Sequence, residues 1–194
     1  MGNYDDIGLP VQGQPVSSGA FGIKVRNYLI NADARLSAVE GNQQLVLKRG
    51  RRSTSTGNVT TTEVGFLRVD NVPVLAGKIY QINATNLNID SSVDNDVGRV
   101  AMRVKYSATT GSAAGIADTM ISYLRNTIDN NTQSNVNGFQ GFYIATADGY
   151  ISVLLSLIRQ AGTGNLIFFG GSSDICDLVI QFGGTDPGDT GVVL

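Results

Sequence analysis

Few side chains in this sequence could do chemistry, and their spacing does not form an active site. The chain contains no histidine, the commonest general base and metal ligand. Asp90, Asp94 and Asp96 share one short loop and could offer oxygen ligands to Ca²⁺. Their spacing lacks the glycine and the terminal glutamate of an EF-hand loop, and turn-forming aspartates are the simpler interpretation. We therefore predict no metal and no cofactor.

The carboxylate pairs and the candidate nucleophiles do not predict an active site either. Asp174 and Asp177 lie at the ends of a predicted strand and on opposite faces, which does not suit the two acids of a glycosidase. No Gly-x-Ser-x-Gly motif occurs, and no histidine could activate a serine. The single cysteine, Cys176, lies in an apolar run typical of a buried structural thiol. We predict no catalytic residue and no enzyme activity.

A basic cluster is the one concentrated charge in the chain, and it comprises Lys48, Arg49, Arg51 and Arg52. It could contact an acidic partner surface or phosphates, or it could be a solvated strand end. The chain carries a net charge of −2 and a pI of about 5.0, which disfavours nucleic acid as a partner. The longest apolar run, residues 150–158, is too short to cross a membrane. We predict neither nucleic-acid nor membrane binding.

The elements that would position these residues change character along the chain. Residues 1–20 contain Pro10, Pro15 and several glycines without apolar periodicity, which predicts an extended N-terminal arm. Such an arm gains order by lying on a partner surface. The start of the sequence has no basic region followed by an apolar one, so we expect synthesis in a cytoplasm.

Residues 21–41 carry apolar side chains at a 4-3-4-3 spacing, which predicts a short coiled-coil helix. A free helix of this length is marginal in water, so the following domain must support it. The alternative is an amphipathic helix packed on its own β domain, and a trimer cannot be separated from a dimer by this pattern. The seam residues are Val25, Leu29, Ala32, Leu36 and Val39.

Residues 43–194 follow a period of two, with turn signals between eight or nine short strands. This spacing predicts a mainly β domain, an antiparallel sandwich or barrel. In the clearest strand, residues 99–106, Val100, Met102, Val104 and Tyr106 should face one way. The basic residues Arg99, Arg103 and Lys105 should face the other way. The stretch Met120–Ile128 could be a strand or a helix of two turns. Only 15% of the residues are charged, a composition often found in assemblies.

The order of arm, short heptad helix and β-sandwich resembles the trimeric jelly-roll proteins that decorate tailed-phage particles. The amino-acid sequences of five stretches are similar to those of virion proteins from phages that infect actinobacteria. Those virion proteins are head decoration proteins or minor tail proteins. These stretches are Gly13–Ile30, Ala34–Glu40, Lys48–Arg52, Phe66–Asp70 and Asp186–Leu194.

The resemblance implies a C1q/TNF-like jelly-roll sandwich, a homotrimer, and a position on the virion surface. It also implies that the arm binds the major capsid protein and stabilises the shell. The candidate arm contacts are Tyr4, Ile7, Leu9, Pro10, Val11, Pro15, Val16 and Phe21. Because the chain is short and has no shaft or enzymatic module, we favour the head. The alternative is a minor tail or fibre protein that binds the host surface through jelly-roll loops.

Overall fold

The computed structural model describes residues 46–130, 134–172 and 174–185. The predicted arm and helix lie outside these ranges. So do the seam residues Val25, Leu29, Ala32, Leu36 and Val39, and the arm residues Tyr4, Ile7, Leu9, Pro10, Val11, Pro15, Val16 and Phe21. The arm, the coiled coil and the domain boundaries therefore stay predictions.

Within the described ranges the chain forms nine strands and no helix. The strands are β1 (Val46–Arg52), β2 (Val64–Val74), β3 (Lys78–Ser91), β4 (Asp96–Ser107), β5 (Thr119–Ile128), β6 (Ser134–Ile144), β7 (Gly149–Ala161), β8 (Leu166–Phe168) and β9 (Cys176–Thr185). The number of strands is as predicted, and the strand predicted at residues 99–106 lies within β4. The helical alternative for Met120–Ile128 is wrong, because this stretch pairs along β4 as the edge strand β5. No helix long and apolar enough to span a membrane is found in the described ranges.

The strands form two antiparallel sheets that pack on one core. The first sheet has the order β1-β9-β3-β6, with the short β8 also paired to β3. The second sheet has the order β2-β7-β4-β5. Most connections along the chain cross from one sheet to the other, as they do in a double-sheet jelly roll. The predicted antiparallel sandwich is confirmed, and this strand order fits a jelly roll.

The core forms because alternate residues of both sheets point inward. Val100, Met102 and Val104 are buried, whereas Tyr106, predicted on the same side of this strand, is 37% exposed and donates its hydroxyl to the Asp148 carbonyl oxygen. The rings of Phe66 and Phe168 stack with centroids 4.8 Å apart. Cys176 is fully buried in this core, and its burial raises the pKa of the thiol to about 12. A thiol with so high a pKa is almost never a thiolate at neutral pH, so the predicted structural role of this cysteine is confirmed.

Candidate interaction surfaces

The aspartates considered as metal ligands instead hold turns together. Asp94 accepts a hydrogen bond from the backbone N–H of Asn130 (2.8 Å), and Asp96 accepts from the Ser91 hydroxyl (2.5 Å) and the Gly164 N–H (3.2 Å). Asp90 accepts from the backbone N–H of Ser91. Each carboxylate thus satisfies backbone or hydroxyl donors at the end of the sandwich. Among the described residues, no group of three or more potential ligand side chains could hold a metal ion.

The predicted basic cluster lies on β1, and its side chains donate hydrogen bonds to acceptors within the chain. The Arg52 guanidinium donates to the carbonyl oxygens of Thr54, Ser55 and Phe66, which ties β1 to the following loop and to β2. Lys48 donates to the carbonyl oxygen of Asp70 at 2.6 Å. The role of the basic cluster as a contact for an acidic partner stays a prediction.

Two further members of the cluster, Arg49 and Arg51, hold one carboxylate on the neighbouring strand. Arg49 donates through Nε (2.8 Å) and Nη2 (2.5 Å) to Asp177, and Arg51 donates through Nε at 2.8 Å. Burial raises the pKa of Asp177, but the hydrogen bonds and charges of the two arginines outweigh it. The pKa of this carboxyl therefore lies below its usual value, and the group is ionised at neutral pH.

Next to the cluster of Arg49, Arg51 and Asp177, the outward surface of the first sheet carries amide and apolar side chains. We call this part of the surface the amide face: Val46, Gln81, Asn83, Gln140, Phe142, Ile144, Val179 and Gln181. The strand register places Val46, Gln181, Gln81 and Phe142 in one row across four strands. Gln81 donates to Asn83 and to Gln140 (3.0 Å), and Asn83 donates to Gln181 (2.8 Å). The amides therefore form a hydrogen-bonded network across the strands and carry no charge.

One edge of the amide face is apolar and open to solvent. Phe142 on the edge strand β6 is 54% exposed, and Ile144 is exposed beside it. A shallow depression next to this edge lies between β3 and β6 and includes Gly138. A Cβ atom at Gly138 would approach the Ala84 carbonyl oxygen to 2.4 Å, so only glycine fits this close backbone contact. Exposed large apolar side chains grouped on one surface are typical of interaction sites.

The outward surface of the second sheet is cationic, and we call it the arginine face: Glu63, Arg99, Arg103, Lys105, Tyr123 and Arg125. Arg99, Arg103 and Lys105 alternate with the buried residues of β4, as the sequence predicted. Arg125 on β5 lies directly opposite Arg99 in the strand register, and Tyr123 lies opposite Ala101. Two strands, β4 and β5, thus bring four cations and one tyrosine together, and the residue before β2 adds one carboxylate.

Glu63 reaches across this face and holds two of its arginines. Its carboxylate accepts from Arg99 Nη2 (3.1 Å), from Arg103 Nε (2.8 Å) and Nη2 (2.9 Å), and from the Ser156 hydroxyl (2.5 Å). Its side chain is only 11% exposed. Burial raises the pKa of Glu63, but the hydrogen bonds from Arg103 and Ser156 and the charges of both arginines outweigh it. The pKa therefore lies below its usual value, and the carboxylate is ionised at neutral pH.

Sequence reasoning missed both faces as sites. It correctly placed Arg99, Arg103 and Lys105 outward, but it did not connect them to Glu63, which is separated from Arg99 and Arg103 by 36 and 40 residues. The alternating pattern of β4 was the available signal for the arginine face. The strand register that joins β2, β7, β4 and β5 was not readable from the sequence.

No protein-family model and no curated protein matches this sequence. Among solved structures, the chain is similar to "BiXyn10A CBM1 APO", with 11% identity, a TM-score of 0.30, and coverage of 71% of this chain and 98% of that one. It is also similar to "Structure of Eiger TNF from S. frugiperda", with 11% identity, a TM-score of 0.33, and coverage of 77% and 99%. A third is "Structure of infectious bursal disease virus Gx strain", with 12% identity, a TM-score of 0.26, and coverage of 72% and 34%. These TM-scores are too low to carry an argument about function.

Proposed function

We propose that this chain is a structural phage virion protein with no enzymatic role, a homotrimeric capsid decoration protein of C1q/TNF-like jelly-roll type. Its N-terminal arm binds the major capsid protein at the virion surface, and its β domains pack side by side. The predicted order of arm, heptad helix and sandwich supports this proposal, as does the sequence resemblance to phage virion proteins. The observation that carries it is the amide face, an uncharged, internally bonded surface with an exposed apolar edge.

The amide face suits contact between copies of the chain because the centre of a protein interface is depleted in charge. Its amides are already paired across the strands, so covering them with another copy leaves few donors without a partner. From strand spacing and rise, the face measures about 20 Å by 20 Å. That is about half of the roughly 800 Å² per partner in a standard interface, so the predicted helix seam would supply the remainder.

The mechanism of such a protein is bridging. Three arms joined in one trimer bind capsid subunits with a high effective concentration, so weak individual contacts add to a tight attachment. A trimer that spans several capsid subunits would resist their separation under internal pressure. We therefore expect a chain lacking residues 1–20 to keep its oligomeric state and to lose binding to capsid shells. Retained binding by the truncated chain would contradict the role of the arm.

The test of the oligomer is the solution mass of the full chain by light scattering, with two matched variants. Phe142→Asp places a charge on the amide face, and Tyr123→Asp places one at a similarly exposed aromatic (58%) on the opposite sheet. We expect a mass near three chains for the wild type and for Tyr123→Asp, and a smaller mass for Phe142→Asp. A monomeric wild type, or a Phe142→Asp variant that stays trimeric, would overturn the assignment of this face.

A further inference from the structure

The arginine face keeps positive charge that the molecule itself does not neutralise. Glu63 is its one carboxylate, and it is shared between Arg99 and Arg103. Within the described part of the chain, neither Lys105 nor Arg125 has a hydrogen-bond or ion-pair partner. The face therefore has an excess of cations in a protein whose net charge is −2.

The register of β4 and β5 concentrates this excess. Arg99 and Arg125 are directly opposite each other, a position in which side chains of two antiparallel strands lie about 5 Å apart at Cβ. Like charges at that position destabilise the pair of strands. Glu63 contacts Arg99 only through Nη2, and the buried Nε of Arg99 has no hydrogen-bond partner in the described ranges. A carboxylate from outside would relieve the repulsion between the two guanidinium groups.

We propose that the arginine face is a docking surface for an acidic protein, whose carboxylates bind Arg99, Arg125 and Lys105. This goes beyond the proposed function, because it assigns a partner chemistry to a second face that is separate from the contact between copies. Arginine suits this role because its planar guanidinium binds carboxylates in a bidentate manner.

The uncharged residues of the same surface favour a protein over another polyanion. Tyr123 is exposed between the cations, Met120 lies opposite Arg103, and both side chains are open to solvent. Arginine, tyrosine and methionine are the residue types enriched at protein interfaces, and arginine and tyrosine supply many of their energetically dominant contacts. A nucleic acid would favour a longer cationic track with several stacking aromatics, whereas this face offers one exposed tyrosine.

The experiment measures the affinity of the full chain for a dye-labelled oligoglutamate peptide by fluorescence anisotropy, with oligothymidylate as the competing class of ligand. Arg125→Glu reverses one charge on the arginine face, and Lys78→Glu makes the same change in net charge on β3 of the other sheet. We expect Arg125→Glu to weaken peptide binding at least about tenfold and Lys78→Glu to leave it nearly unchanged. Arg125→Lys keeps the charge without the bidentate geometry and should fall between the two.

Each other outcome would overturn the proposal in a recognisable way. Equal losses from Arg125→Glu and Lys78→Glu would mean that net charge, and not this face, governs binding. Tighter binding of oligothymidylate than of the peptide would make the partner a nucleic acid. Because the peptide assay does not depend on the oligomeric state, a monomer that binds the peptide would contradict the proposed trimer and leave this inference intact.

Discussion

Each outward face of the sandwich holds one carboxylate between two arginines, and the two clusters differ in their exposure to water. On the first sheet, Asp177 is held by arginines whose side chains are 44% and 56% exposed. On the second sheet, Glu63 is held by Arg99 and Arg103, which are 20% and 13% exposed. Ion pairs in water contribute little to stability, whereas breaking a buried pair leaves charges without compensation. The same three-residue arrangement should therefore matter little on one face and considerably on the other.

The first and largest effect that we predict is from Glu63→Ala. The substitution leaves two partly buried guanidinium groups and the Ser156 hydroxyl without their shared acceptor. Complete burial would cost 3–5 kcal/mol, and the residual exposure of the arginines reduces the expected loss to about 2–3 kcal/mol. Urea denaturation at neutral pH measures it. A loss below about 1 kcal/mol would show that water replaces the carboxylate and that the comparison between the two faces fails.

The matched substitution on the first sheet, Asp177→Ala, should cost less. The guanidinium groups released on β1 are already in contact with water, so the expected loss is about 0.5–1 kcal/mol. The same denaturation experiment, run beside Glu63→Ala, gives the ratio of the two losses. Equal losses would mean that the difference in exposure has no energetic consequence.

The sequence predicted much of the fold and little of the two faces, for a physical reason. The strands follow from an alternation that is local, as in β4, where Val100 points inward and Arg99 points outward. The faces depend on which strands become neighbours. The hydrogen bond from Asn83 to Gln181 joins residues separated by 98 positions, and no local pattern specifies it. The basic cluster on β1 was visible in the sequence, but its internal acceptors, the carbonyl oxygens of Thr54, Ser55 and Phe66, were not.

Acid should weaken both clusters, and this gives a third and smaller effect. Folding lowers the pKa of Glu63 and of Asp177, so the unfolded chain binds their protons more tightly than the folded one. Their contribution to stability is complete above the unfolded-state pKa of about 4 and is lost as the pH falls below it toward the folded-state values. Unfolding free energies measured from neutral pH downward should therefore decline in that range. Glu63→Gln should flatten the decline more than Asp177→Asn; the opposite order would reverse the ranking of the two faces.

The smallest effect carries the opposite sign, and it separates a binding surface from a structural one. Arg125→Glu replaces a like-charged pair with an opposite-charged pair at the position facing Arg99, so it should stabilise the folded chain by a few tenths of a kcal/mol. Thermal unfolding compared with Arg125→Gln, which removes the repulsion without adding attraction, measures the gain.

A residue whose role is structural loses stability when its charge is reversed. If Arg125→Glu gains stability while it loses the acidic peptide, the charge at this position is retained for a partner at the expense of the fold. If Arg125→Glu is destabilising instead, Arg125 contributes to the fold through contacts other than the repulsion with Arg99. The excess of cations on this face would then no longer support an acidic partner.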